Sequence, residues 1–437
     1  MVTKMKVIMP EWMKRPLRAV KSGVIRAREF PMIHAQPELH RSALEKVRKK
    51  EKVKVAFFAT HSSVWKYEGV YKLMAADPRF DPIVVVCPVV NYGKENMLEE
   101  MVKSFRIFQD KGYKVVMAYD DQTDSYLDVR QDIGPDIIFY TNPYKGLIDD
   151  RYYITNFRDT LTCYVQYAYP ISNSNVVNQV DLLFHNLLWM NFQETPLHEQ
   201  EARNCSRSKG RNAVLTGYPG TDLLVYGQRT DTGRWKNPDN NLKRVIWAPH
   251  HTIEEGGILN LSSFLVLHKL MIDLVETYRS ELQIAFKPHP LLKVKLYDHK
   301  DWGKERTDAY YSYWEDCPNG QLETDDYIDL FNSSDAMIHD SGSFIAEYLF
   351  CGKPVLFFLL NKEIRNRLSD FGNQALDHHY HASDVKGIID FLERVVFEDK
   401  DEKSDCRRMF YEQYLVPPNK LSASENIYNT ICHDLFC

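Results

Sequence analysis

The chain has 437 residues, 44% of them hydrophobic and 26% charged, with 55 Lys+Arg against 60 Asp+Glu for a formal net charge of −5. That length fits two domains with appendages, and the charge balance gives no reason to expect a nucleic-acid partner. With 19 Gly and 20 Pro the chain is neither fibrous nor disordered, and its longest apolar runs, Ile83–Val90 and Val355–Leu360, fall far short of the roughly 20 residues of a bilayer span.

Charge is concentrated at the start. Residues 1–52 hold 14 Lys+Arg and five Glu, a net +9, so the remainder carries −14. Trp12, Leu17, Val20, Val24 and Ile25 interleave with the basic residues. Such a stretch either docks on an anionic membrane surface or packs on the body as a solvated arm. The eight cysteines are scattered without a CxxC pair or zinc spacing, and no secretory signal precedes them, so reduced thiols in a cytosol are expected.

From Val53 strands and amphipathic helices alternate. Val53–Ala59, Pro82–Cys87, Lys114–Ala118 and Pro135–Tyr140 read as buried strands, with helices at Trp65–Ala76 and Lys94–Asp110. Thr162–Tyr167 and Leu182–His185 are expected to continue the sheet, and Glu194–Arg207 to form a helix. Continuous Val/Ile runs alternating with helices predict a parallel sheet covered on both faces. Residues 216–242, rich in Gly, Pro and Asn, read as a connection. A second unit over 243–395 has strands at Arg244–Ala248, Leu282–Lys287, Ala336–His339 and Pro354–Leu359, with helices at Ser262–Arg279, Ile328–Ser333 and Gly342–Phe350. A helical tail, 396–437, follows. The fold class is therefore α/β: a basic arm (1–52), then two doubly wound Rossmann-type domains (53–215 and 243–395) facing across a cleft.

Polar groups in the second unit gather just after strand ends, where a parallel sheet lines its ligand crevice. Pro249-His250-His251-Thr252 follows one strand, Lys287-Pro288-His289 ends the next, and His339-Asp340-Ser341-Gly342-Ser343 ends a third. The run Asp340–Ser343 leads into a helix; small residues and hydroxyls there suit a diphosphate, or serve as an ordinary N-cap. Glu347, one turn inside, is either a ribose acceptor or a solvated helix residue. Lys287 beside His289 would offset charge on a leaving phosphate. His61-Ser62-Ser63, after the first strand, faces the cleft from the other side or caps the following helix. Asp120-Asp121 and Asp325-Asp326 read as turns or caps more than as acidic metal sites, Tyr310–Trp314 as core more than as a surface to stack a base or sugar, and His378–His381 as a polar loop more than as a metal site. The sequence contains no GxxxxGK[ST], HExxH or GxSxG.

Taken in order, these motifs resemble the CDP-glycerol glycerophosphotransferases of teichoic-acid and capsule synthesis. Thr216-Gly217-Tyr218-Pro219-Gly220-Thr221-Asp222 is similar to that family's GYPRxD segment, and Trp247-Ala248-Pro249 to its YAP strand end. Asp326–Phe331 with Ser334-Asp335 and Ile338-His339-Asp340 resembles DxxDLLxxSDxLITDYSS, and Glu347-Tyr348 with Lys353–Phe358 resembles FEY…KPVIFF. The resemblance covers about 216–358 well and the first domain loosely. Where the family has QTWHGTP, with its His as general base, this chain has Gln166-Tyr167-Ala168-Tyr169-Pro170, placing Tyr169 at the His position; a phenol of pKa near 10 is a poor base at neutral pH. Asp340–Ser343, Glu347 and Gly352-Lys353-Pro354 also resemble the DSGG…E…GKP segment of UDP-N-acetylglucosamine 2-epimerases.

The resemblance implies a GT-B enzyme of cell-envelope biogenesis. It would move glycerol phosphate, or a related group, from a CDP-activated donor to a membrane-associated glycan or lipid-linked acceptor. It implies Lys287, His289, Asp340, Ser341, Gly342, Ser343 and Glu347 at the donor, and His251, His250, His61 and Tyr169 as candidates for the proton and acceptor chemistry. No metal or cofactor is expected, and the location implied is cytoplasmic, peripheral on the inner face of a bacterial membrane. A nucleotide-sugar glycosyltransferase or 2-epimerase-like enzyme, and a non-catalytic binding protein of a capsule locus, remain as alternatives.

Overall fold

The computed structural model describes residues 11–91, 93–173, 176–226, 233–239, 241–254, 261–324 and 327–437, the side chains of 11–25, 176 and 362 excepted. The first sheet has seven strands: β1 (Val53–Ala59), β2 (Phe80–Val86), β3 (Val115–Met117), β4 (Ile137–Tyr140), β5 (Leu161–Val165), β6 (Met190–Gln193) and β7 (Ala213–Leu215). They lie in the order β3-β2-β1-β4-β5-β6-β7, all parallel. The second has six: β8 (Lys243–Ala248), β9 (Leu282–Phe286), β10 (Gly320–Leu322), β11 (Ala336–His339), β12 (Val355–Phe358) and β13 (Tyr380–Ala382), in the order β10-β9-β8-β11-β12-β13, again parallel. Both are doubly wound, with the strand order reversing beside β1 and beside β8, where such sheets open a crevice. The apolar runs earn their place by burial: every residue of β1 except Lys54 is buried, as are all of β4, β5, β9, β11 and β12.

One expected strand is a helix. Leu183–Leu187 is helical, and the strand follows it at Met190–Gln193. A four-residue, mostly apolar segment is too short to show the period that separates the two states. The expected helix at Gly342–Phe350 is a four-residue α-helix, Phe344–Glu347, running into a 3₁₀ turn at Tyr348–Cys351.

Glu11–Val47 forms one helix, and from Glu29 onward it packs on the first sheet's layer, with Ile33, Ala43 and Val47 buried. Pro37 lacks the N–H that would bond the Ile33 carbonyl, and Arg211 Nη2 donates to that carbonyl instead at 3.0 Å. Arg207 holds Glu29 at 2.6 Å. The Trp12–Ile25 side chains of the basic stretch lie outside the described residues. Among the described residues no helix is long and apolar enough to cross a membrane.

Two features join the sheets. The C-terminal helix Ala423–Phe436 starts on the Asp222 carboxylate, which accepts the Ala423 and Ser424 N–H groups at 2.8 and 3.0 Å. It then returns to the first sheet, where Tyr428 donates to Asp77 at 2.6 Å and Phe436 packs on Phe80. The segment after β5 reaches the other way. The Ser369 N–H donates to the Ile171 carbonyl at 2.7 Å, Asn173 Nδ2 to the Asn366 carbonyl at 2.8 Å, and Tyr169 stacks on Phe371 at 5.5 Å. One continuous core therefore runs from Phe57 through Tyr169 and Ile246 to Leu349.

At this junction a Cβ on Gly372 would lie 2.5 Å from the Ile171 carbonyl oxygen, which is backbone and cannot turn aside. Gly372→Ala is expected to lower stability by about 1–3 kcal/mol, read as a lower urea midpoint. A midpoint equal to that of the parent protein would mean that the two lobes do not meet here.

Candidate functional site

Strand register brings the polar loops together. Trp247 pairs with Phe286 across β8 and β9, so His250, three residues on, lies level with His289. Ala248 pairs with His339 across β8 and β11, which sets Asp340 beside Pro249. The rings of His250 and His251 are 4.3 Å apart, those of His251 and His289 4.2 Å, and those of His250 and His289 5.2 Å.

Asp340 organises this edge from below. Its carboxylate is 1% exposed and accepts the His250 N–H, the Ser263 N–H and the Ser263 hydroxyl, each at 2.5 Å. Ser262 Oγ in turn donates to the His250 carbonyl at 2.6 Å. Burial raises the Asp340 carboxyl to about 6, against the pull of these donors. Both its oxygens are engaged within the protein, so Asp340 positions the His250–His251 loop rather than presenting a free carboxylate.

The imidazoles are held by local bonds. His250 Nδ1 lies 2.9 Å from Thr252 Oγ1, which itself accepts the Leu261 N–H at 3.0 Å. His289 caps the helix Pro290–Tyr297: its Nδ1 accepts the Leu291 N–H at 3.1 Å, which leaves Nε2 carrying the proton and pointing a donor outward. Burial lowers the pKa of His250 to about 3 and of His289 to about 4, reinforced by the His251 charge; burial, then Lys295, lowers His251. All three rings are neutral at pH 7. Lys287, buried at the end of β9, adds a positive charge next to His289. Imidazole N–H groups, an ammonium and the loop hydroxyls form a donor-rich edge suited to phosphate oxygens.

The other candidates are distributed differently. Ser341 and Gly342 are buried on the same edge, and Ser343 is half-buried. A Cβ on Gly342 would meet Ile171 Cδ1 of the first lobe at 3.0 Å, a close approach between the lobes at this loop. With only four α-helical residues behind it, this loop has one turn of helix dipole to offer. Glu347 is buried and accepts the Tyr327 hydroxyl at 2.5 Å; burial raises its carboxyl, and the Lys66 charge from the first lobe works against that rise. His61 stands apart on the first lobe, 3.3 Å from Glu100. Tyr169 is packed between Tyr218, Phe371 and His198 in the lobe junction, and burial drives its phenol well above the ordinary value, away from any role as a base at neutral pH.

Three weaker sequence features resolve as structure. Asp120 closes a turn on the Gln122 N–H. Tyr310, Tyr311 and Trp314 are core residues of the helix Gly303–Asp316. The run His378–His381 is not a polar loop: His379 is buried, Tyr380 and His381 open β13, and His378 and His381 bond the Gln374 and Leu376 carbonyls at the end of the helix Asp370–Asp377. Asp325-Asp326 lie outside the described residues. One pair escaped the sequence reading: Glu194, 1% exposed, with His198 Nδ1 at 3.4 Å, beneath the Pro170 carbonyl to which His198 Nε2 bonds at 3.1 Å. Glu194 opens a helix in the sequence, and nothing in its spacing marks it as buried.

The family model for CDP-Glycerol:Poly(glycerophosphate) glycerophosphotransferase matches residues 193–433, more than half of the chain. No curated protein matches the sequence. Among solved structures, a variant of the wall teichoic acid polymerase TagF shares 14% identity at a TM-score of 0.57, over 98% of each chain. A UDP-N-acetylglucosamine 2-epimerase shares 13% identity at 0.55, over 88% of this chain and 96% of that one. The S. aureus MnaA–UDP structure shares 16% at 0.55, over 88% and 97%. The fold is thus of the GT-B type.

Two expectations follow from the buried carboxylates. Asp340→Ala leaves three buried donors without an acceptor and is expected to lower stability by about 3 kcal/mol or more, seen as a fall in the urea midpoint at constant slope. For Glu194, burial raises the carboxyl from 4.5 to about 8. Its folded form therefore favours the proton, and stability is lost as pH rises from 4.5 through 8. Glu194→Gln is expected to be more stable than the parent by roughly 2–4 kcal/mol at pH 8, the gain vanishing below pH 5. A gain independent of pH would remove Glu194 as its source.

Proposed function

We propose that this chain, which belongs to the CDP-glycerol:poly(glycerophosphate) glycerophosphotransferase family, transfers glycerol phosphate from a CDP-activated donor to a hydroxyl of a glycan or lipid-linked acceptor at a membrane surface. The observation that carries this reading is the convergence of His250, His251, His289 and Lys287 at the carboxyl end of the second sheet.

In the reaction the acceptor oxygen attacks the phosphorus that bears glycerol. The bond from that phosphorus to the bridging oxygen breaks, and CMP leaves with its electron pair. His289 Nε2–H and Lys287 face the charge that gathers on the leaving phosphate, with Ser341 and Ser343 on the same edge. The acceptor's proton passes to one of the neutral rings, His250 or His251, since Tyr169 is buried and held protonated. His61, tethered to Glu100, belongs to the acceptor side.

Purified protein incubated with CDP-glycerol and a lipid-linked glycan is expected to release CMP. His251→Gln is expected to lower kcat by about 10²- to 10⁴-fold, and His289→Gln by about 10²- to 10³-fold. Release of UMP or UDP from UDP-sugars, with CDP-glycerol untouched, would give the site to nucleotide-sugar chemistry instead. No turnover of any activated donor would favour a binding protein.

A further inference from the structure

The three imidazoles form a set that chain spacing conceals. One ring nitrogen from each of His250, His251 and His289 lies within 4.8 Å of the other two, and among the described residues this is the group of His, Cys, Asp or Glu that converges so closely. Each of the three residues is half-buried. His251 Nδ1 is buried without a hydrogen-bond partner.

We propose that His250, His251 and His289 together hold one borderline transition-metal dication, of the zinc or cobalt kind, leaving a coordination position for a phosphate or hydroxyl oxygen. The donor set selects the metal: three imidazoles without a carboxylate suit zinc, cobalt or nickel and not magnesium or calcium, which take oxygen ligands. Three protein ligands with an open position is the composition of a catalytic rather than a structural zinc site. Thr252 supplies the supporting contact, since its Oγ1 at 2.9 Å from His250 Nδ1 leaves the other nitrogen of that ring to the metal.

The site is completed on binding. A zinc–nitrogen bond of about 2.0–2.1 Å sets ligand nitrogens about 3.4 Å apart in a tetrahedron, so rings spread over as much as 4.8 Å must draw in. His289 must also change tautomer, giving up the Leu291 N–H that its Nδ1 now accepts. Two cations lie nearby: Lys295, paired with Glu254 at 2.7 Å, whose charge bears on all three rings, and Lys287, whose charge bears on His289. A dication beside Lys287 is held more tightly when an anionic phosphate shares the site, so nucleotide and metal should reinforce one another.

This inference rests on the donor-site reading for its consequence but not for its test. With the cation bound, the imidazoles act through it. A hydroxyl on the metal ionises near neutral pH, which supplies what buried Tyr169 does not.

The test uses untagged full-length protein, stripped with chelator and titrated with Co²⁺ in the absence of nucleotide. One equivalent is expected to bind with visible ligand-field absorption, to be displaced by one equivalent of Zn²⁺, and to bind more tightly when CDP is added. His250→Gln and His251→Gln are each expected to abolish the band, with circular dichroism unchanged. Thr252→Val, which keeps all three ligands, is expected to weaken binding by about 10- to 100-fold. A missing band, or one that survives both His variants, overturns the proposal. Stoichiometric metal binding by a protein that ignores CDP-glycerol would keep the metal site and sink the transferase reading. Full CDP-glycerol turnover by chelator-stripped protein without a cobalt band would do the reverse.

Discussion

A buried carboxylate at the reversal point of the second sheet sets the geometry of everything above it. An isolated ionised Asp340 would be too costly to bury, and three short donors from two separate segments make it tolerable. The same three contacts tie the end of β11 to the His250 loop and to the start of the helix Phe264–Thr277. The position of the imidazoles is therefore a by-product of satisfying one charge. The sequence around Asp340 looks like a ligand-binding loop, but its acidic residue faces inward and both its oxygens are spent on the protein.

A second constraint comes from the other lobe. The Tyr169–Asn173 segment gives its backbone to Ser369 and its apolar side chains to Phe371 and Gly342. Here it is a packing element, with Tyr169 stacked in the junction and Ile171 against the glycine of the hydroxyl loop. Beneath it, His198 Nε2 bonds the Pro170 carbonyl at 3.1 Å and fixes the segment from below.

What was legible in the sequence follows from what repeats. Continuous Val, Ile and Phe runs separated by amphipathic stretches gave both parallel sheets, and the placing of His250, His289 and Asp340 just past strand ends gave their shared edge. Register then did what spacing cannot: only the Trp247–Phe286 and Ala248–His339 pairings bring residues far apart in sequence to one level. Short segments misled, as at Leu183–Leu187, because five residues are too few to show a period. The metal-capable trio was invisible because its members lie on two loops whose distance in sequence matches no ligand motif. The inward turn of Glu347 was hidden because a carboxylate on a helix is exposed by default, and the burial of Glu194 because it reads as the start of a helix, whereas it lies between the strand Met190–Gln193 and the N-cap Thr195.

The two ends of this edge differ in what packs on them. At the Ser341–Gly342 end, a Cβ on Gly342 would lie 3.0 Å from Ile171 Cδ1, so the first lobe already packs closely on that loop. At the other end His250, His251 and His289 are half-buried. The Ile171 carbonyl also accepts the Ser369 N–H just before the helix Asp370–Asp377, so one isoleucine packs its side chain on the hydroxyl loop while its backbone ties the two lobes together.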